Sequence, residues 1–155
     1  MKGRNPDVRM LPRVAVAAVV VQNTRVLLIK RRYAPHAGLW TFPGGKVRWQ
    51  ESLVQAVARE VWEETQVRVK VGAPLYIFDL IDSGAQQPMH FVIVDFIAHW
   101  LAGTPSAADD AAAARWFERA ELSGAEIEPR TQNLLLQCWD RLVGDPCPPL
   151  INKPM

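Results

Sequence analysis

Three glutamates, Glu60, Glu63 and Glu64, stand at helical spacing in the run A-R-E-V-W-E-E-T. At about 3.6 residues per turn, positions three and four beyond Glu60 fall beside it, so the carboxylates project within roughly a 100° arc of one helix face. Like charges held this close repel one another. A divalent cation turns the repulsion into ligation. An all-oxygen donor set suits Mg²⁺ or Mn²⁺, and Mg²⁺ is commonly held by one or two carboxylates together with substrate phosphates. A solvated acidic helix face is the plain alternative, and E-x-x-E-E alone does not choose between the two.

The element that must position these groups has a second face. Val54, Val57, Ala58 and Val61 recur at amphipathic spacing, which predicts a helix that packs one side on a core and turns its acidic side to a cleft. Arg59 adjoins the first glutamate, where a planar guanidinium can hold neighbouring carboxylates in place. In front of the helix runs Phe42-Pro43-Gly44-Gly45-Lys46. Paired glycines permit backbone conformations and close approaches that a side chain would block, so a carbonyl there can reach a metal.

This loop-then-helix stretch resembles the signature of the Nudix hydrolases, the MutT-like family, G-x5-E-x7-R-E-U-x-E-E-x-G-U with U a bulky aliphatic. Gly45, Glu51, Arg59, Glu60, Val61, Glu63, Glu64 and Val67 fall on it in register, eight of nine fixed places. Gln66 stands at the ninth, where the family has glycine. That glycine follows the helix, where a left-handed residue often ends it, and Gln can take the same conformation at a cost of about 1–2 kcal/mol. Weaker echoes are Leu27-Leu28-Ile29-Lys30-Arg31, Gly38-Leu39-Trp40 and Arg115-Trp116-Phe117 followed by Glu121-Leu122.

The resemblance implies an α/β fold of the Nudix type, a mixed β-sheet sandwiched between helices. It implies a Mg²⁺-dependent pyrophosphohydrolase, Mn²⁺ being the alternative ion, that cleaves a nucleoside diphosphate linked to another moiety. Carried over residue by residue, Gly45, Glu60, Glu63 and Glu64 are metal ligands, Glu63 and Glu64 also act in catalysis, and Glu51 and Arg59 orient the ligands. An ADP-ribose-like nucleotide-sugar is the favoured substrate. A nucleoside triphosphate such as an oxidised dNTP is the alternative, and a non-catalytic nucleotide sensor is a third reading that the intact glutamates disfavour. Several branches of the family place the general base in a loop before the last strand, where this chain has Ala108-Asp109-Asp110-Ala111. Asp109 or Asp110 can serve there, or Glu64 or Glu60 within the signature.

For substrate binding, Arg31, Arg32 and Lys46 are candidate phosphate contacts. Tyr33, Trp49, Tyr76, Phe78 and Phe91 are candidate stacking surfaces for a base, with Trp49 singled out because Arg48-Trp49-Gln50 immediately precedes the acidic helix. His36 and His90 have no partner at metal-ligand spacing.

The chain of 155 residues suits one domain, residues 1–143, with a Pro-rich tail over 144–155. A net charge of +2 from 18 basic and 16 acidic residues carries no nucleic-acid footprint, so the expected partner is a small nucleotide; a homodimer is left open. Cys138 and Cys147 show neither metal-ligand nor disulfide spacing, which fits a reduced, cytoplasmic setting. Basic residues within Met1–Arg13 ahead of the apolar run Val14–Val21 mimic a secretory leader. Valine richness and a following turn read better as the first arm of a hairpin, and the run is too short for a bilayer. Further strands are expected at Val26–Lys30, Val67–Ile81 with a break near Pro74, Phe91–Leu101 and Arg115–Phe117. Helices are expected at Glu51–Thr65, Arg119–Leu122 and Thr131–Leu142.

Overall fold

The computed structural model describes residues 11–84, 86 and 88–144. A seven-stranded sheet organises them, in the order β3-β2-β1-β6-β5, with β4 paired to β1 and β7 to β2. The strands are β1 (Arg13–Gln22), β2 (Arg25–Arg31), β3 (Trp40–Thr41), β4 (Gly44–Lys46), β5 (Arg68–Asp82), β6 (Met89–Ala102) and β7 (Ala111–Phe117). Helix α1 (Leu53–Thr65) follows β4, and α2 (Pro129–Leu142) follows β7 after a 3₁₀ turn at Arg119–Glu121. β1 runs parallel to β6 while its pairings with β2 and β4 are antiparallel, so the sheet is mixed, as expected.

The valine run becomes the central strand because both of its faces are covered. Val16, Ala18 and Val20 point to α1, where they pack with Ala56, Val57, Val61, Val94 and Phe96. Val19 and Val21 point the other way, to Phe117, Leu135, Trp139 and Leu142 on the α2 side. Burial of each such side chain stabilises the fold by roughly 1.5–3 kcal/mol. The α/β/α sandwich is the result.

Several local expectations are corrected. Helix α1 begins at Leu53 rather than Glu51, because Ser52 caps it through a reciprocal pair of hydrogen bonds with Gln55. Val54 lies outward, 50% exposed, and Ala56 takes the core position instead. β7 starts at Ala111 rather than Arg115: four alanines, poor strand formers by themselves, are drawn into the ladder by β2. Strands β3 and β4 were not expected at all, being two and three residues long. The break near Pro74 appears as register shifts from Val71 to Tyr76, where proline supplies no donor to β6.

The tail reading falls on residues that, apart from Gly144, lie outside those described, as do Cys147 and the basic residues before Leu11. Among the described residues no helix is long and apolar enough to cross a membrane.

Candidate active site at the β4 and α1 edge

Short strand β4 lies antiparallel to β1, with Gly44 opposite Ala17 and Gly45 opposite Val16. Glycine is required twice here by close approach. A Cβ on Gly44 would sit 2.2 Å from the Val16 carbonyl oxygen, and one on Gly45 would sit 2.5 Å from the Glu60 carboxyl group. The loop is therefore pressed between the central strand and the acidic face of α1.

Glu64 is 5% exposed, and its Oε2 accepts a hydrogen bond from the Gly44 N–H at 2.9 Å. Burial pushes its pKa up to about 8; the Gly44 bond and the charge of Arg31 oppose that rise, while Glu60 and Asp110 reinforce it. Glu60 is also raised, chiefly by burial, with Arg59 acting against it.

Arg59 gathers the rest of the acidic face. Its Nε and Nη2 donate to the two carboxylate oxygens of Glu51 at 2.6 and 2.9 Å, and Nη1 donates to Glu60 at 2.6 Å and to Glu63 at 3.0 Å. Nη2 also donates to the Lys46 carbonyl at 3.1 Å, which ties β4 to the helix. A guanidinium fork of this kind fixes orientation as well as charge. Glu51 further accepts the Arg48 N–H, and the fork, foremost, holds its carboxyl down to about 2. Arg48 adds a bond to Glu63 at 3.1 Å.

The three helical glutamates differ in their partners. Glu64 docks on Gly44, Glu63 bonds to Arg59, and Glu60 bonds to Arg59 while its carboxyl lies against Gly45. Among the described residues no three acidic, histidine or cysteine side chains already converge on one point. The donor set is nevertheless one a hard dication suits. It comprises oxygens of Glu60 and Glu64, both penalised for carrying charge where they sit, beside a glycine whose missing side chain leaves the Glu60 carboxyl clear.

Arg31, the last residue of β2, acts electrostatically on Glu64, and its Nε is sealed from solvent without a hydrogen-bond partner. Arg32 is more committed, donating from Nη2 to the Ala111 carbonyl at 3.1 Å. The Lys46 ammonium lies 5.9 Å from the centre of the Phe91 ring. Trp49 stands at the tip of the loop, 91% exposed, beside Gln50 in a left-handed conformation. Of the two loop aspartates, Asp110 acts on Glu64 and Asp109 occupies a left-handed turn position in solvent.

Gln66 takes the left-handed conformation that the resemblance assigns to glycine, with φ 59° and ψ 21°. Its main-chain N–H and its side-chain Nε2 both donate to the Trp62 carbonyl, at 2.9 and 3.0 Å, which offsets part of the strain. His90 lies in strand β6, where its Nε2 is 3.1 Å from Asp79 Oδ1.

Sequence reasoning passed over Asp95. It lies in β6, 5% exposed, and burial raises its pKa to about 7, eased by Arg130 and reinforced by Glu128. The signal was an acidic residue inside the otherwise apolar run F-V-I-V-D-F-I-A.

Comparison with known proteins agrees with this layout. The NUDIX domain family matches residues 11–138. An ADP-ribose pyrophosphatase of Methanocaldococcus jannaschii is 35% identical over 107 residues, which are 69% of this chain and 62% of that protein, so the chain spans less than two thirds of that relative's length. A putative 8-oxo-dGTP diphosphatase 2 of Mycobacterium tuberculosis is 33% identical over 121 residues, 77% of this chain and 83% of that one. The crystal structure of a MutT NUDIX hydrolase from Burkholderia pseudomallei superposes with a TM-score of 0.70 at 35% identity, covering 82% of this chain and 98% of its own. A family match over most of the chain, joined to a shared fold at 35% identity, places this protein in the Nudix hydrolase family.

Proposed function

We propose that the protein is a divalent-metal-dependent pyrophosphohydrolase that cleaves a nucleoside diphosphate linked to another moiety, with an ADP-ribose-like nucleotide-sugar as substrate. The observation that carries this reading is the buried Glu64 carboxyl docked on the Gly44 N–H beside Glu60. Nothing in the packing of α1 requires an acidic group there, and an apolar side chain would avoid the cost of burial.

Glu60 and Glu64, with the Gly45 carbonyl, would hold Mg²⁺ or Mn²⁺, and Glu63 would assist. A bound dication supplies charge neutralisation at the pyrophosphate oxygens and a more acidic water. Arg59 and Glu51 keep Glu60 and Glu63 in position. The sealed Nε of Arg31 offers a donor to a phosphate oxygen next to Glu64. Arg32, Lys46 and Trp49 stand around that edge as further substrate contacts. In the reaction a water oxygen bonds to phosphorus while the bridging P–O bond breaks, and Glu64 or Asp110 takes the proton from the water. For ADP-ribose the products are AMP and ribose 5-phosphate.

The M. jannaschii relative supports a nucleotide-sugar. The M. tuberculosis relative, matched over more of its length, supports an oxidised nucleoside triphosphate as second reading. A panel of nucleoside diphosphate sugars and triphosphates, assayed with Mg²⁺ and with Mn²⁺ and with products weighed by mass spectrometry, decides between them. Release of AMP from ADP-ribose at higher kcat/KM than any triphosphate is the expected result. Metal-independent turnover, or none across the panel, would overturn the assignment.

A further inference from the structure

On the α2 side of the sheet, away from the acidic helix, lies a group with no role in the scheme above. Asp95 pairs across the sheet with Ala17 of β1 and Tyr76 of β5, and Ala17 packs with the α2-side core, so the aspartate faces α2. Its main chain is held in the sheet, but its carboxyl has no hydrogen-bond partner among the described residues. Among the described residues the sealed side-chain atom without a partner is Arg31 Nε, so the Asp95 carboxyl, though 5% exposed as a residue, keeps an edge in contact with solvent.

What surrounds it suits a flat, polar-edged ring. Tyr76 and Phe78 stand side by side on β5, half-buried, with ring centres 5.5 Å apart. The Arg130 guanidinium, from the first turn of α2, lies 4.6 Å over Phe78. Ala15 and Ala17 are small and only half-covered. Two strand spacings, about 10 Å, separate Asp95 from Gly44, which lies across Ala17 and holds Glu64.

We propose that Asp95 is the residue that selects the nucleobase, its carboxyl accepting a hydrogen bond from an exocyclic amino group of a base lodged against Tyr76 and Phe78. An amino donor satisfies the ionised carboxylate that burial leaves short of partners, whereas a base with an oxo group at that place sets oxygen against oxygen. The adenine 6-amino group meets this requirement. The charged groups acting on Asp95 are Arg130, in the first turn of α2, and Glu128, which caps that helix; β1 and β5 present Ala17 and Tyr76. The proposal rests on the nucleotide reading above and specifies its base.

The test compares adenine with hypoxanthine, which carries oxo in place of amino. Binding of AMP and IMP is measured by calorimetry without metal, and kcat/KM by hydrolysis of ADP-ribose and its inosine counterpart with Mg²⁺. The parent is expected to favour adenine at least ten-fold. Asp95→Asn, whose amide can rotate to donate to an oxo group, brings the ratio close to one, chiefly by improving IMP. Asp95→Leu weakens AMP and leaves no preference. Equal affinity of the parent for AMP and IMP, or an unchanged ratio in Asp95→Asn, overturns the proposal. If the AMP preference follows Asp95 while no pyrophosphate is cleaved, the proposal stands and the enzymatic reading falls.

Discussion

Glu51 precedes α1 while Glu64 lies in its last turn, and their surroundings drive them in opposite directions. Glu51 sits on the Arg59 fork, with its carboxyl held down to about 2. Glu64 is buried with one main-chain donor, and its carboxyl is pushed up to about 8. One is a fixed charge that anchors others. The other is a charge the protein tolerates poorly unless a cation arrives. The contrast separates residues that hold the site in shape from those that do its work, a distinction the spacing of the glutamates does not reveal.

Substitution tests this division most strongly. Glu64→Gln keeps the shape and removes the charge, and should lower kcat/KM on the order of 10³-fold or more with an unaltered circular dichroism spectrum. Glu51→Gln loosens Arg59 and should cost only about 10–100-fold, mostly through weaker metal activation. Equal losses in the two variants would erase the distinction.

Stability against pH probes the same pair without metal. Glu64 has a folded pKa above its unfolded value of 4.5, so its protonated form favours the folded state. Its contribution is full below pH 4.5 and is lost as pH rises through about 8, by a few kcal/mol. Glu51, depressed to about 2, stabilises above pH 4.5 and loses that effect as pH falls through 2. Urea titrations from pH 5 to 9 should show a decline that Glu64→Gln lessens and Mg²⁺ opposes, with Asp95 and Glu60, also raised by burial, contributing the rest. A profile that Glu64→Gln leaves unchanged would mean that the carboxyl is not penalised in the fold.

The helix end gives a smaller effect. Gln66→Ala keeps the left-handed strain and removes the bond to the Trp62 carbonyl, and should cost about 0.5–1.5 kcal/mol. Gln66→Gly loses the same bond but also the strain, so its Tm should stay within a few degrees of the parent. Trp49→Ala is the mildest change. At 91% exposure it should shift stability by less than about 0.5 kcal/mol, and if the ring stacks on substrate KM should rise several-fold with kcat little changed.

Much of the sandwich was legible in sequence because long apolar runs leave few options: Val14–Val21 had to lie in a covered strand, and the amphipathic run before Gln66 had to be a helix. Strands β3 and β4 were not legible, since segments of two or three residues acquire strand geometry from the partner they meet. Ala111–Ala114 hid the start of β7 for the same reason. Within the site, the contact of Arg59 with Glu51 could be anticipated from a matched motif. The docking of Glu64 on the Gly44 N–H could not, because it depends on a main-chain donor in β4. Asp95 was visible as an oddity, but its neighbours on α2 lie far along the chain and only folding brings them together.

Two main-chain hydrogen bonds tie the segment before β7 to the end of α1, from Ser106 to the Thr65 carbonyl and from Ala108 to the Glu64 carbonyl. Asp110 and Glu64 are thereby carried on a single rigid piece. Whatever movement lets a substrate in and its products out must be borne elsewhere along the rim, since shifting this stretch would drag the helix terminus with it.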